Sequence, residues 1–324
     1  MSTNMKHKII KYLLVLLVVF LTSKLHAQQD PQFTHYMYNM SVINPAYATD
    51  NADVINLGGL YRTQWVGIKG APVTETFFAH KPLSKRVELG ISVVHDEIGN
   101  VVKENNIFAD FAYVLPLGET TKLSLGLKAG VTLFNTNFNG FVYTDPLPDP
   151  AFQNNISKTF PNIGAGTYLF GSNYYVGFSA PNLMTSRHIE TINGHAGSGV
   201  EAIHFFLTGG YVLTFNGNDN FKLKPAFMAK GVEGAPVALD LTTNVLINNK
   251  FEAGVGYRLG DSVSGLASFY VTPTLRIGYA YDNTLSNLGA FNSGSHEIFL
   301  LFDLDSNKLS SSSSKGYDKS PRFF

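Results

Sequence analysis

Between about residue 53 and residue 304 the chain alternates apolar and polar side chains with period two, in strand-length runs. Successive side chains of a strand point to opposite faces. Phe251, Ala253, Val255, Tyr257 and Leu259 therefore share one face, and Glu252, Gly254, Gly256 and Arg258 the other. Leu123, Leu125, Leu127, Ala129, Val131 and Leu133 oppose Ser124, Gly126, Lys128, Gly130 and Thr132 in the same way, and Leu275, Ile277, Tyr279 and Tyr281 oppose Arg276, Gly278, Ala280 and Asp282. Fourteen strands are predicted, beginning near Val54, Val73, Arg86, Asn105, Lys122, Asn162, Asn173, Ala202, Phe221, Val237, Phe251, Val263, Thr274 and His296.

Alternation by itself leaves open which face is buried, because a soluble sandwich turns its apolar face inward and a membrane barrel turns it to lipid. The connections separate the two. Those after the even strands are tight, as at Pro82-Leu83-Ser84-Lys85, Gly171-Ser172 and Asn248-Asn249-Lys250. Most odd ones are longer, notably Asn135 to Pro161, Pro181 to Glu201 and Asp282 to Ser295. Short turns on one rim and long loops on the other predict an all-β, transmembrane antiparallel β-barrel of fourteen strands, with both chain ends on the periplasmic, short-turn side. Glu88, Lys128, Lys222, Lys224, Asp240, Glu252, Arg258, Arg276 and Asp282 would then face the lumen. Tyr61, Trp65, Tyr113, Tyr168, Phe215, Phe269, Tyr270 and Tyr281 fall near strand ends, where aromatic girdles or plain strand composition account for them equally well.

The two ends of the chain read differently. Residues 1–27 carry Lys6, Lys8 and Lys11, then an apolar run from Tyr12 to Leu21, then Leu25-His26-Ala27, the order of a cleaved secretory signal peptide. The run is shorter than the roughly 20 residues of a spanning helix. Residues 305–324 hold a serine run that reads as a flexible periplasmic spacer, tipped by Arg322, Phe323 and Phe324.

Residues 28–52 are too apolar for a solvated linker: Phe33, Tyr36, Met37, Tyr38, Met40, Val42, Ile43 and Tyr47 stand among amides, without Lys or Arg. Pro31 and Pro45 confine any helix to the middle, where Phe33, Tyr36, Met37 and Met40 fall on one helical face. The segment is expected to be buried, as a plug in the barrel or as a periplasmic element.

Composition narrows the chemistry. Twenty-four basic and 24 acidic residues leave no net charge, which gives no electrostatic reason to expect nucleic acid as a partner. The absence of cysteine rules out a disulfide framework and cysteine-based metal or redox sites. No catalytic constellation is expected. His296-Glu297 lacks the second histidine of a zinc-peptidase helix, and Gly164-Ala165-Gly166 and Gly254-Val255-Gly256 precede no helix. The expectation is a non-enzyme without cofactor or metal.

Several blocks carry a family resemblance: Asp30-Pro31-Gln32-Phe33, Tyr36-Met37, Asn39 and Ile43-Asn44-Pro45-Ala46-Tyr47-Ala48, then Tyr61-Arg62-Thr63-Gln64-Trp65 and Gly70-Ala71-Pro72-Val73-Thr74, then His296-Glu297 and Ser320-Pro321-Arg322-Phe323-Phe324. These resemble the PorP/SprF family of type IX secretion and gliding proteins. Thr49 stands where that pattern commonly has Gly. The resemblance implies an outer-membrane barrel that anchors or helps export a cognate secreted adhesin or other type IX cargo, with links in some members to periplasmic motor or peptidoglycan-binding components. Phe138, Phe141, Tyr143, Phe152, Met184 and Ile189 in the long loops are candidate anchors for such a partner. The alternative is an outer-membrane pore for small solutes, tuned by the lumen charges.

Overall fold

The computed structural model describes residues 31–49, 54–139, 155–185, 187–189, 199–200, 202–215, 218–233 and 235–305. The expected signal peptide at residues 1–27, Phe141, Tyr143, Phe152 and the tail with Arg322, Phe323 and Phe324 lie outside the described residues, as does the side chain of Ile189.

Fourteen strands form the wall: β1 (Val54–Thr63), β2 (Val73–Pro82), β3 (Val87–Ile98), β4 (Val102–Pro116), β5 (Lys122–Thr136), β6 (Ser157–Phe170), β7 (Tyr174–Ala180), β8 (His204–Tyr211, resuming at Leu213–Phe215), β9 (Asn218–Val232), β10 (Ala238–Ile247), β11 (Phe251–Arg258), β12 (Ser262–Thr272), β13 (Leu275–Thr284) and β14 (Ser295–Asp305). Each pairs antiparallel with its sequence neighbours. β1 pairs with β14, placing Arg62 opposite Glu297, and the sheet closes on itself. Closure leaves no free sheet edge along the barrel, which a wall in lipid requires because hydrocarbon offers no hydrogen bonds. β4 starts at Val102 and β6 at Ser157, ahead of the expected Asn105 and Asn162, because their pairing with β5 continues towards the long connections. A separate two-stranded pairing joins Arg187–Ile189 to Gly199–Val200.

The two faces of the wall answer the question that alternation left open. Leu89, Ile91, Leu125, Leu127, Ile163, Phe178, Leu241, Val255 and Ile298 are exposed, while Glu88, Ser92, Lys128, Thr132, Asp240, Asn244, Glu252 and Arg276 are buried. An apolar exterior around a polar interior inverts the soluble pattern and is the arrangement lipid demands. No helix among the described residues is long and apolar enough to cross a membrane. Tyr168 departs from the girdle expectation, for it is buried against Phe170 and Tyr175 inside the barrel.

Residues 31–49 lie within the wall. A 3-10 turn, Tyr36–Tyr38, leads into a single helical turn, Met40–Ile43. The expectation of a one-sided amphipathic helix needs correction. Thr34, His35, Asn39, Ser41 and Asn44 are as buried as Phe33, Tyr36, Met37 and Met40, because strands surround the segment on every side. Its contacts also give its direction. Pro31 and Gln32 stand beside Glu104, Lys230 and Asp240, near the ends of β4, β9 and β10 that adjoin odd-numbered connections, whereas Thr49 reaches Glu88 beside the short turn before β3. The segment thus runs down the lumen from the long-connection end to the short-turn end.

Candidate functional site

The lumen and the segment inside it are joined by three clusters of charge. Near the upper, long-connection end, Glu297 accepts hydrogen bonds from the backbone amides of Thr34 at 2.9 Å and His35 at 2.6 Å, and the His35 ring Nδ1 lies 2.8 Å from the same carboxylate. Arg62 spans the cluster, donating to Glu297 at 3.1 Å, to Asp282 at 2.7 Å and to the Thr34 hydroxyl at 2.9 Å. The Thr34 hydroxyl in turn donates to Asp282 at 2.7 Å. β1, β13 and β14 supply the three wall residues, and the closing pair of strands sets Arg62 directly opposite Glu297. Beside them Arg258 donates to Asp240 at 2.5 Å and to the Gln32 side chain at 3.0 Å.

Lower down, Tyr38 is the centre. Its hydroxyl donates to Glu252 at 2.5 Å and accepts from Lys224 and Arg276, each at 2.9 Å. Lys224 and Arg276 also bind Glu252 directly, at 2.7 and 2.6 Å, and the Arg276 guanidinium stacks 4.4 Å from the centre of the Tyr38 ring. Tyr36 meets the Thr242 hydroxyl at 3.0 Å.

At the lower end Glu88 accepts the Thr49 amide at 2.9 Å, with His80 Nδ1 3.1 Å away. Lys128 pairs with Asp110 at 2.9 Å and reaches the Ser41 carbonyl at 3.4 Å. Ser179 donates to the Ile43 carbonyl at 2.8 Å, Asn44 donates to the Thr167 carbonyl at 3.0 Å, and Thr76 donates to Asn39 Oδ1 at 3.3 Å. Asn44 also accepts the Ala46 amide at 2.9 Å, bending the chain at Pro45. Gly126 and Gly166 face this bend so closely that a Cβ on Gly126 would overlap the Pro45–Ala46 backbone, and one on Gly166 would overlap Asn44 Oδ1.

Of the lumen charges expected from sequence, eight make these contacts and Lys222 lies half-buried on the same inward register as Lys224. Glu297, Asp110, His35 and the inward role of Arg62 were not anticipated. Asp110 stands directly across from Lys128, a signal that strand register would have revealed. The other family-block residues lie apart from the lumen clusters. Gln64 donates its amide to the Pro72 carbonyl at 3.0 Å, Trp65 adopts a positive φ of 44°, and Gly70, at φ 80°, lets Gly99 approach. Of the loop anchors, Phe138 is half-buried, its amide held by Asn155 at 2.8 Å, and Met184 is exposed. The structure does not bring these two together with the lumen clusters. Among the described residues no group of three His, Asp or Glu side chains is disposed to hold a metal.

Two unfilled spaces flank the segment. The upper, about 60 Å³, is lined by Phe33, Ile43, Val94, Phe108, Phe206 and Met228 with Glu104 and Asn182 among them. The lower, about 40 Å³, is lined by Tyr38, Tyr47, Phe78 and Tyr270 with Arg276 and Asp303. Residues of the segment line both.

A model of the type IX secretion system membrane protein PorP/SprF matches residues 25–302, a span that takes in the inner segment and nearly the whole wall. The chain belongs to the PorP/SprF family. It is a type IX secretion outer-membrane barrel. Among solved structures it is similar to a Pseudomonas aeruginosa FadL homologue (12% identity, 86% of this chain and 95% of that one, TM-score 0.46), to the Acinetobacter baumannii outer membrane protein Omp33 (11%, 78% and 100%, 0.45) and to the Ralstonia pickettii toluene transporter TbuX (10%, 82% and 93%, 0.47). No curated protein matches it.

Proposed function

We propose that this PorP/SprF barrel is a non-enzymatic anchor or export partner for a cognate secreted protein, with its lumen closed by residues 31–49 acting as a plug. The single observation that carries the reading is the filled lumen: a segment tied by buried charges at both ends and at Tyr38, and by neutral hydrogen bonds along its length. A diffusion pore has no use for such an occupant. The carboxylates that could serve chemistry are committed to holding it, Glu297 and Glu88 to its amides, and Glu252 to Tyr38.

The partner engages the cell-surface side through the long connections and the upper space, with Phe138 and Met184 among its contacts. A periplasmic motor or peptidoglycan-binding component engages the opposite rim. The test is co-purification of secreted cargo with the intact barrel and with residues 137–156 shortened to a tight turn. Loss of cargo from the shortened form, with the barrel still folded, supports the reading. Equal recovery and equal surface display of cargo would overturn the role of that loop.

A further inference from the structure

The direction of the inner segment has a topological consequence. In outer-membrane barrels the short turns face the periplasm and the long connections face outward. β1 begins at Val54, on the short-turn side, so a segment lying just before it would be expected to approach from the periplasm. The segment does approach β1 from that side, since Thr49 binds Glu88 near the start of β3. Followed backwards, however, it climbs the lumen. The Tyr38 hydroxyl turns back down to Glu252, the second residue of β11, and Arg276, the second of β13, while Ile43 meets Ser179, the next-to-last residue of β7, on the long-connection side. Thr34 and His35 sit with Glu297 near the start of β14, Asp282 near the end of β13 and Arg62 near the end of β1, all on the long-connection side. Gln32 reaches Arg258, the last residue of β11, which also touches Asp261 in the connection beyond it.

We infer that Pro31, Gln32 and Phe33 stand in the outer mouth of the barrel, so that the beginning of the inner segment forms part of the cell-surface face of the protein. Pro31, Gln32 and Phe33 line the upper space, so a partner protein seated in that mouth meets the N-terminal end of the segment rather than wall residues alone. Three links in the lumen fix the direction: Gln32 to Arg258, Thr34 and His35 to Glu297, and Thr49 to Glu88. Reversing the segment would separate each pair.

The absence of cysteine makes a thiol-labelling test clean. A Gly/Ser spacer of about four residues carrying one cysteine is inserted after Gln28, long enough to leave the nearer mouth but, at roughly 3.3 Å per residue, too short to run the length of the lumen. Single-cysteine controls are Asn287→Cys in the long connection after β13 and Glu119→Cys in the short turn after β4. Intact cells are treated with a membrane-impermeant maleimide, then permeabilised and treated again. The expected result is labelling of the spacer and of Asn287→Cys on intact cells, with Glu119→Cys labelled only after permeabilisation. A spacer labelled together with Glu119→Cys, after permeabilisation only, would overturn the inference. Labelling of Glu119→Cys but not Asn287→Cys on intact cells would overturn the outward placement of the long connections, on which the inference stands. The inference does not depend on the identity of any cargo. Measuring the conductance of the same spacer form shows whether the plug reading fails with it or survives it.

Discussion

Arg62 reaches two strands and the inner segment at once, with its side chain almost entirely withdrawn from solvent. Removing one member of a buried ion pair strands the others, a cost of about 3–5 kcal/mol, whereas replacing a whole buried pair by apolar groups is often neutral. Arg62→Met is therefore expected to destabilise the folded barrel by that amount in denaturant unfolding from detergent, because Glu297 and Asp282 lose their shared cation. Lys103→Met, which removes a half-exposed partner of Glu97, is expected to leave the midpoint nearly unchanged in the same assay. Gly126 tests the segment from the opposite direction. A valine there occupies the place of the Pro45–Ala46 backbone, so Gly126→Val should displace the lower part of the segment and make it sensitive to added protease, while the wall keeps its resistance. Continued protection of residues 31–49 in that variant would show that the close approach does not hold the bend.

At the scale of elements, the strands were legible because period two survives in every run long enough to cross a bilayer, and because short and long connections alternate. Those two features depend on local sequence alone. The lumen clusters were only half legible. Asp240 lies opposite Arg258, and Asp110 opposite Lys128, on consecutive strands, so counting across a hairpin finds them. Arg62 and Glu297 face each other only because the barrel closes between its first and last strands, and no local pattern reports that pairing. The inner segment misled for a related reason. Its helical spacing suggested one buried face, but burial there is set by a wall that encloses it, so polar side chains such as Asn39 and Ser41 are buried as well. The outward face gives a direct prediction. Leu127 is exposed near the middle of β5, and Leu127→Arg should cost about 2–4 kcal/mol when folding is measured in lipid vesicles, as charges at the bilayer midplane do. A cost near zero would mean that this face meets water. The adjacent Lys128, one position along and turned inward, is native and paired.

For the whole molecule, the family fixes the compartment and the apparatus, and the geometry adds an occupied lumen with a space above it and a space below. The two halves of the proposal then have separate readouts. The partner side is read by cargo recovery when residues 137–156 are shortened. The closed-barrel side is read electrically, and it is the central claim, because a protein that conducts freely would be a pore whatever else binds it. Purified protein is placed in planar bilayers and its single-channel conductance compared with that of a form lacking residues 31–49, each first shown to be folded by its resistance to denaturation in detergent. The intact barrel is expected to be silent or nearly so, and the deleted form to open steady channels. Equal conductance in the two folded forms would contradict the account, since the segment would then neither close the lumen nor be needed to keep it closed.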